Sequence, residues 1–267
     1  MKFYYCPSNS GTCFNEVSQS GDRPMIYLSN SYLGCDSQEI FMHIEVGVVD
    51  SAKMVLSYGT ALAAFGYLGK EMITAAKEKG VLSLIFRSIL ASLAVLVFFE
   101  IFPRQPVGIS EVHFILGSTL FLIFGLVPAG VGLLVGLFIQ GILFAPFDLP
   151  NYSVNVTTLL VPLFFMAAAA KKLIPHNTAY KDIGYSQALK LSVTYQGGIV
   201  AWVTFWALYG QGFTSANLAA IGSFAAAYMT VVILEPLVDL AILAGAKTLQ
   251  NMQDSSFVTP RLYHKAS

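Results

Sequence analysis

From residue 52 onward the chain alternates long apolar runs with short polar breaks. Seven runs stand out, at 52–72, 81–102, 112–127, 129–146, 153–170, 187–209 and 217–245. Each lies near the ~20 apolar residues that a helix needs to cross a bilayer, allowing for tilt and shorter helices. The third and fourth are joined by "VPAGVG", whose Pro and Gly suit the tight turn of a helical hairpin. Residues 1–41 show neither the helical nor the strand period. They are rich in Ser, Asn, Gly, Cys and Tyr, and Pro7 breaks the start "MKFYYCPSNSGTC" before any apolar signal stretch develops. The pattern predicts an all-α polytopic membrane protein with about seven transmembrane helices. It divides the chain into a polar leader at 1–41, a seven-helix domain at 42–247 and a tail at 248–267.

Composition agrees. Of 267 residues, 55% are hydrophobic and 11% charged, with a mean hydropathy of +0.65. Soluble domains are nearer a quarter charged. The formal net charge is zero, which offers no footprint for nucleic acid. Loop charge sets an orientation. Lys70, Lys77 and Lys79 follow the first run, Lys171, Lys172, Lys181 and Lys190 surround the fifth-to-sixth connection, and Lys247, Arg261 and Lys265 lie in the tail. The alternate loops hold little beyond Arg104. Basic loops stay in the cytoplasm, so an odd number of spans puts residue 42 outside and the C-terminus inside a bacterial or archaeal plasma (inner) membrane. Small-residue stretches such as "AGVGLLVG" read as packing faces where helix backbones approach closely.

Candidate chemistry is sparse. All three cysteines precede Met42, so no thiol site exists in the membrane region. Four histidines occur, and by the topology above His43 and His113 share the outer rim, while His176 and His264 fall in cytoplasmic segments. Two imidazoles at one depth suit a divalent transition metal; alternatively they are two unrelated interfacial histidines, each bonded to a neighbour. "FMHIE" adds a condition. If Met42 carries a free amine, that amine, the His43 amide and imidazole nitrogens, and a distant imidazole such as His113 make four nitrogens in a plane, an arrangement that points to Ni(II) or Cu(II). If Met42 is internal, the chelate cannot form.

"MHIEVGVVDSAKMVLSYG", "GISEVHFILGSTLFLIFG" and "IQGILFAPFDLPNYSVNVTTLLVP" resemble the CbiM/NikM type of membrane component over roughly residues 42–245. These are substrate-binding subunits of energy-coupling factor transporters for cobalt and nickel. The resemblance implies a chain beginning at Met42, with metal held by the Met42 amine, His43 and His113. It implies Co2+ or Ni2+ as the transported substrate and no organic cofactor. The implied partners are a transmembrane coupling subunit and two ATPase subunits, with a small accessory membrane subunit as a further candidate. Two stretches depart from the family. His113 is followed by Phe-Ile-Leu-Gly where the family has Leu-Val-Gly-Gly, and "APFDLPNYSVN" adds Asp148 and Pro150.

Asn151 and Asn155, four apart and so on one helical face, are candidates for orienting a metal-bound imidazole; capping of the fifth helix is the competing role, better suited to Asn151. Gln140, Gln196, Glu235 and Asp239 lie inside the runs and form a candidate intramembrane polar network. As a proton or cation relay it would make the chain a stand-alone proton-coupled carrier; as structure it would bind Glu235 to a freed backbone group or to Gln196. A haem-binding redox protein, with His43 and His113 as axial ligands, is the other alternative. No Walker A loop, GxSxG or HExxH occurs, so the sequence predicts a transporter subunit without its own ATPase and no enzyme.

Overall fold

Seven α-helices and one small hairpin follow each other along the chain: α1 Met54–Lys79, α2 Val81–Ile101, β1 Arg104–Val107, β2 Ser110–His113, α3 Gly117–Phe124, α4 Leu126–Leu143, α5 Tyr152–Leu173, α6 Tyr185–Gln211 and α7 Ser215–Thr248. Short 3-10 turns at Pro146–Asn151, Tyr180–Asp182 and Pro260–Leu262 complete the order. These come from a computed structural model that describes residues 44, 47–249 and 255–265, all within one unit, Phe41–Ser267. The candidate leader and both Met42 and His43 lie outside the described residues.

Five of the helices, α2 and α4 to α7, match the predicted runs to within a few residues, while α1 extends to Lys79. By length and composition four helical stretches could cross a membrane: Val81–Ile101, Leu126–Leu143, Pro146–Leu173 and Ser215–Thr248. α1 and α6 are as long but more polar. Outward faces on α1, α2 and α7 are apolar: Leu62, Ile73, Leu82, Ile89 and Ile233 are each more than half exposed. Water penalises such surfaces and lipid does not.

The third run departs from the single helix predicted for it. Residues 104–113 form an antiparallel hairpin in which Arg104 faces His113 and Val107 faces Ser110. Its two-residue turn has Gly108 at φ 67, the left-handed conformation that a tight hairpin requires. Pro106, which cannot donate to a ladder, sits on the short β1 strand. Leu116 takes φ 53 before α3, and Gly125 takes φ 89 after it. The turn therefore falls at Gly125, and Pro128 lies in the first turn of α4, where its missing N–H would have had no helical partner anyway.

α3 has only 8 residues, about 12 Å at 1.5 Å per residue. The chain still traverses the bundle here. Gly132 packs on Ala91 and Gly136 on Val95, so α2 and α4 run parallel. The His113 ring lies 5.1 Å from that of Phe99, and Arg87 Nη1 donates to the Phe124 carbonyl at 3.0 Å. Residues 113–124 thus return from the level of Phe99 to that of Arg87, roughly 18 Å along α2. The short helix plus an extended stretch at 114–116 covers that distance. Ile115 through Leu122 are all buried, which is the condition under which non-helical backbone is tolerated at membrane depth.

The hairpin and the 146–151 turn share one end of the bundle with Ile44. At the other end Ser83 donates to the Ser256 carbonyl, Arg261 to that of Pro175, and Lys247 pairs with Asp182 at 3.6 Å. The 255–265 segment packs there, with Val258 and Leu262 buried and the Thr259 amide capping the Ile123 carbonyl at 2.7 Å. The basic connections therefore gather at this tail end.

Candidate metal centre

β2 directs Ser110, Glu111 and His113 into the protein. Strand alternation puts Glu111 and His113 on one face, and both line a cavity of about 20 Å³. Its wall also includes Ile44, Asn155, Thr158 and Tyr228. That volume is room for one ion or water.

Ile44 reaches this wall through two side-chain amides. Asn151 Nδ2 donates to the Ile44 carbonyl at 3.1 Å, and the Ile44 amide donates to Asn155 Oδ1 at 3.3 Å. The pair acts as a clamp on one residue, pinning its carbonyl and its N–H from the start of α5. Asn151 occupies the N-cap position of α5 but makes no side-chain cap there; its amide is turned to Ile44 instead.

Glu111 is a site residue that the sequence reading passed over. Its signal was present in "VGIS", a Gly-led turn between two short β-compatible stretches. Burial pushes its carboxyl up to about 7; the nearby Arg104 pulls it down, while Asp148 and Glu100 push it further up. Arg104 lies 3.8 Å from Glu100. Asp148 is buried and borders a smaller neighbouring cavity with Gln140 and Asn155.

The candidate intramembrane residues divide into two places. Gln140 donates to Glu100 at 3.0 Å, near the hairpin end. Gln196, Glu235 and Asp239 meet elsewhere, and α3 supplies the groups that join them. Ser118 Oγ lies 3.2 Å from Glu235 Oε1 and 2.8 Å from Asp239 Oδ2. Thr119 donates to Asp239 Oδ1, Gln196 Nε2 donates to Glu235 Oε2, and Ser192 Oγ reaches that same oxygen at 3.3 Å. Both carboxylates are buried. Gln140 is separate because α4 packs on α2 whereas Glu235 and Asp239 face α3 and α6 across the bundle. Ser118 and Thr119 escaped sequence reasoning because hydroxyls in an apolar run carry no sign of their partners. His176 and His264 are exposed at the tail end.

A family model, CbiM, described as the cobalt uptake substrate-specific transmembrane region, matches residues 43–252. The chain belongs to the CbiM family. It is a membrane component of cobalt uptake, a transport family rather than an enzyme family, whose systems involve partner subunits. No curated protein and no solved structure matches the chain. The CbiM match takes in the hairpin, the α3 traverse and both buried polar clusters, and it begins one residue before Ile44. Among the described residues no three His, Cys, Asp or Glu side chains converge on one point. The described part of the cavity contributes two, Glu111 and His113.

Proposed function

We infer that this chain is the substrate-capture subunit of an energy-coupling factor transporter, taking up Co(II) or Ni(II) at the hairpin end of the bundle. One observation carries the reading most. Asn151 and Asn155 hold the backbone of Ile44 in the wall of the cavity that His113 enters, and His43 is the residue bonded to Ile44. The chain next to His43 is thus held beside His113, which supports the two histidines as partners at one site. His43, His113 and the Met42 amine are the proposed ligands. The amide clamp orients the chain that bears the first of them, a role whose loss ordinarily weakens metal binding.

The hairpin end faces outward in this proposal and the tail end lies in the cytoplasm, as the concentration of Lys and Arg in the connections of the tail end favours. A coupling subunit and two ATPases supply the energy for release, since the chain carries no nucleotide-binding loop of its own. A cavity of about 20 Å³ suits a single ion better than a porphyrin.

The test is metal analysis of the purified protein alongside mass analysis of its N-terminus. One Co(II) or Ni(II) per chain is expected, lost in His43→Ala and in His113→Ala, on a polypeptide that starts at Met42. Full metal loading on a chain that retains residues before Met42 removes the amine from the ligand set. Unchanged loading in His113→Ala defeats the capture site itself.

A further inference from the structure

The cavity wall contains one group that the nitrogen ligands do not account for. Glu111 is 4% exposed, and no described residue donates a hydrogen bond to its carboxylate. Buried carboxylates are normally bonded or paired, because desolvation without a partner is costly. Its strand neighbour two positions on is His113, on the same face and lining the same cavity. Arg104 acts on Glu111 through its charge, while its guanidinium lies 3.8 Å from Glu100 and donates to the Phe99 carbonyl at 3.4 Å. The contrast with Asp239 is direct: that carboxylate receives Ser118 and Thr119 hydroxyls and has no need of a ligand.

We propose that Glu111 is a ligand of the transported metal, adding a carboxylate oxygen to the His113 imidazole in the same cavity. The proposal rests on the capture reading of the preceding section. Its consequence is selectivity. Four nitrogens in a plane favour Ni(II) and Cu(II), whereas a carboxylate oxygen from one side raises the coordination number to five and disfavours the square-planar state. Co(II) accepts the fifth ligand. The oxygen also offsets part of the dication's charge in a buried site, where an uncompensated charge is expensive. The site is then tuned towards cobalt, and Glu111 is a specificity-determining residue.

The experiment uses the full chain purified in detergent, loaded separately with Co(II) and Ni(II). Affinities are measured by calorimetry, and the Co(II) coordination by its visible absorption. In Glu111→Gln the Co(II) affinity should fall about tenfold or more, with Ni(II) affinity changing less than about threefold, and the five-coordinate Co(II) spectrum should give way to a four-coordinate one. Glu111→Asp, which keeps a carboxylate on a shorter stem, should recover part of the Co(II) preference. Unchanged Co(II) affinity and spectrum in Glu111→Gln, with metal still lost in His113→Ala, overturns the role of Glu111 and leaves the capture site standing. Metal retained in His113→Ala overturns the capture reading beneath it. Should both Glu111 variants fail to yield folded protein, X-ray absorption of the Co(II)-loaded wild type decides the matter. Five ligand atoms support the proposal; four overturn it.

Discussion

Two buried carboxylate sites stand in contrast within one bundle. Glu235 and Asp239 sit between α3, α6 and α7, Asp239 with two hydroxyl donors and Glu235 with an amide and a hydroxyl. Glu111 sits at the hairpin end beside His113, with no described donor on its carboxylate and open volume in front of it. The first arrangement spends its polar groups on one another, so it holds helices together. The second leaves carboxylate lone pairs without a donor among the described residues, which is the ground for proposing a metal there. Burial alone does not distinguish the two sites; the supply of donors around them does.

Substitutions should separate the two sites by readout. The largest effect belongs to Asp239→Ala, which leaves the Thr119 hydroxyl without its acceptor and Ser118 with Glu235 alone. A buried orphan together with the space left behind costs about 3 kcal/mol, read as a lower melting temperature in detergent, with metal affinity held within about threefold. A loss of metal binding that exceeds the loss of stability would join the two sites into one system. His113→Ala should do the reverse, lowering metal affinity by about 100-fold or more while the melting temperature of the metal-free protein barely moves.

Gly117→Ala probes the link between them. A Cβ at Gly117 would stand 2.2 Å from the Tyr195 ring, so α3 or that ring must shift, at a cost of about 2 kcal/mol. Calorimetric unfolding should register it. Asn155→Ala releases the Ile44 amide, and metal affinity should drop about tenfold with little change in melting temperature. A stability loss without an affinity loss would make the clamp a packing feature only. Asp182→Asn, remote from both sites, is the control and the smallest effect. The hydrogen bond from Lys181 at 2.8 Å, with Lys247 also near, holds the Asp182 carboxyl below its usual range. Its stabilisation is present above the ordinary carboxylate range and fades as pH falls through the lowered value. Because the pair is exposed, about 0.5 kcal/mol or less is at stake, and added salt should erase the pH difference between variant and wild type.

Much of the architecture was readable from the chain alone. The runs at 81–102, 153–170 and 187–209 became helices with almost those bounds, because a long apolar segment in lipid has to bond its own backbone. Gly132 and Gly136, read as a packing face, do lie against Ala91 and Val95. The 112–127 run was different. "VHFILGSTLFLIFGLV" has one hydropathy whether it is helical or extended, and the summed signal hides the left-handed Leu116, the break at Gly125 and the strand that turns Glu111 inward. Asn151 and Asn155 could be placed on one helical face from their spacing, yet nothing in their neighbourhood names Ile44 as the residue they hold.

The sequence by itself determined that the chain belongs in a membrane and the order of its helices. Those properties depend on composition and spacing over about 20 neighbouring residues. Tertiary structure alone decided which polar groups meet. Ile44 bonds Asn155 across 111 positions, and Ser118 bonds Asp239 across 121. Such contacts depend on how α3, α5 and α7 pack, and packing is a property of many side chains at once. The same packing gives Asp239 two hydroxyl donors and Glu111 none among the described residues.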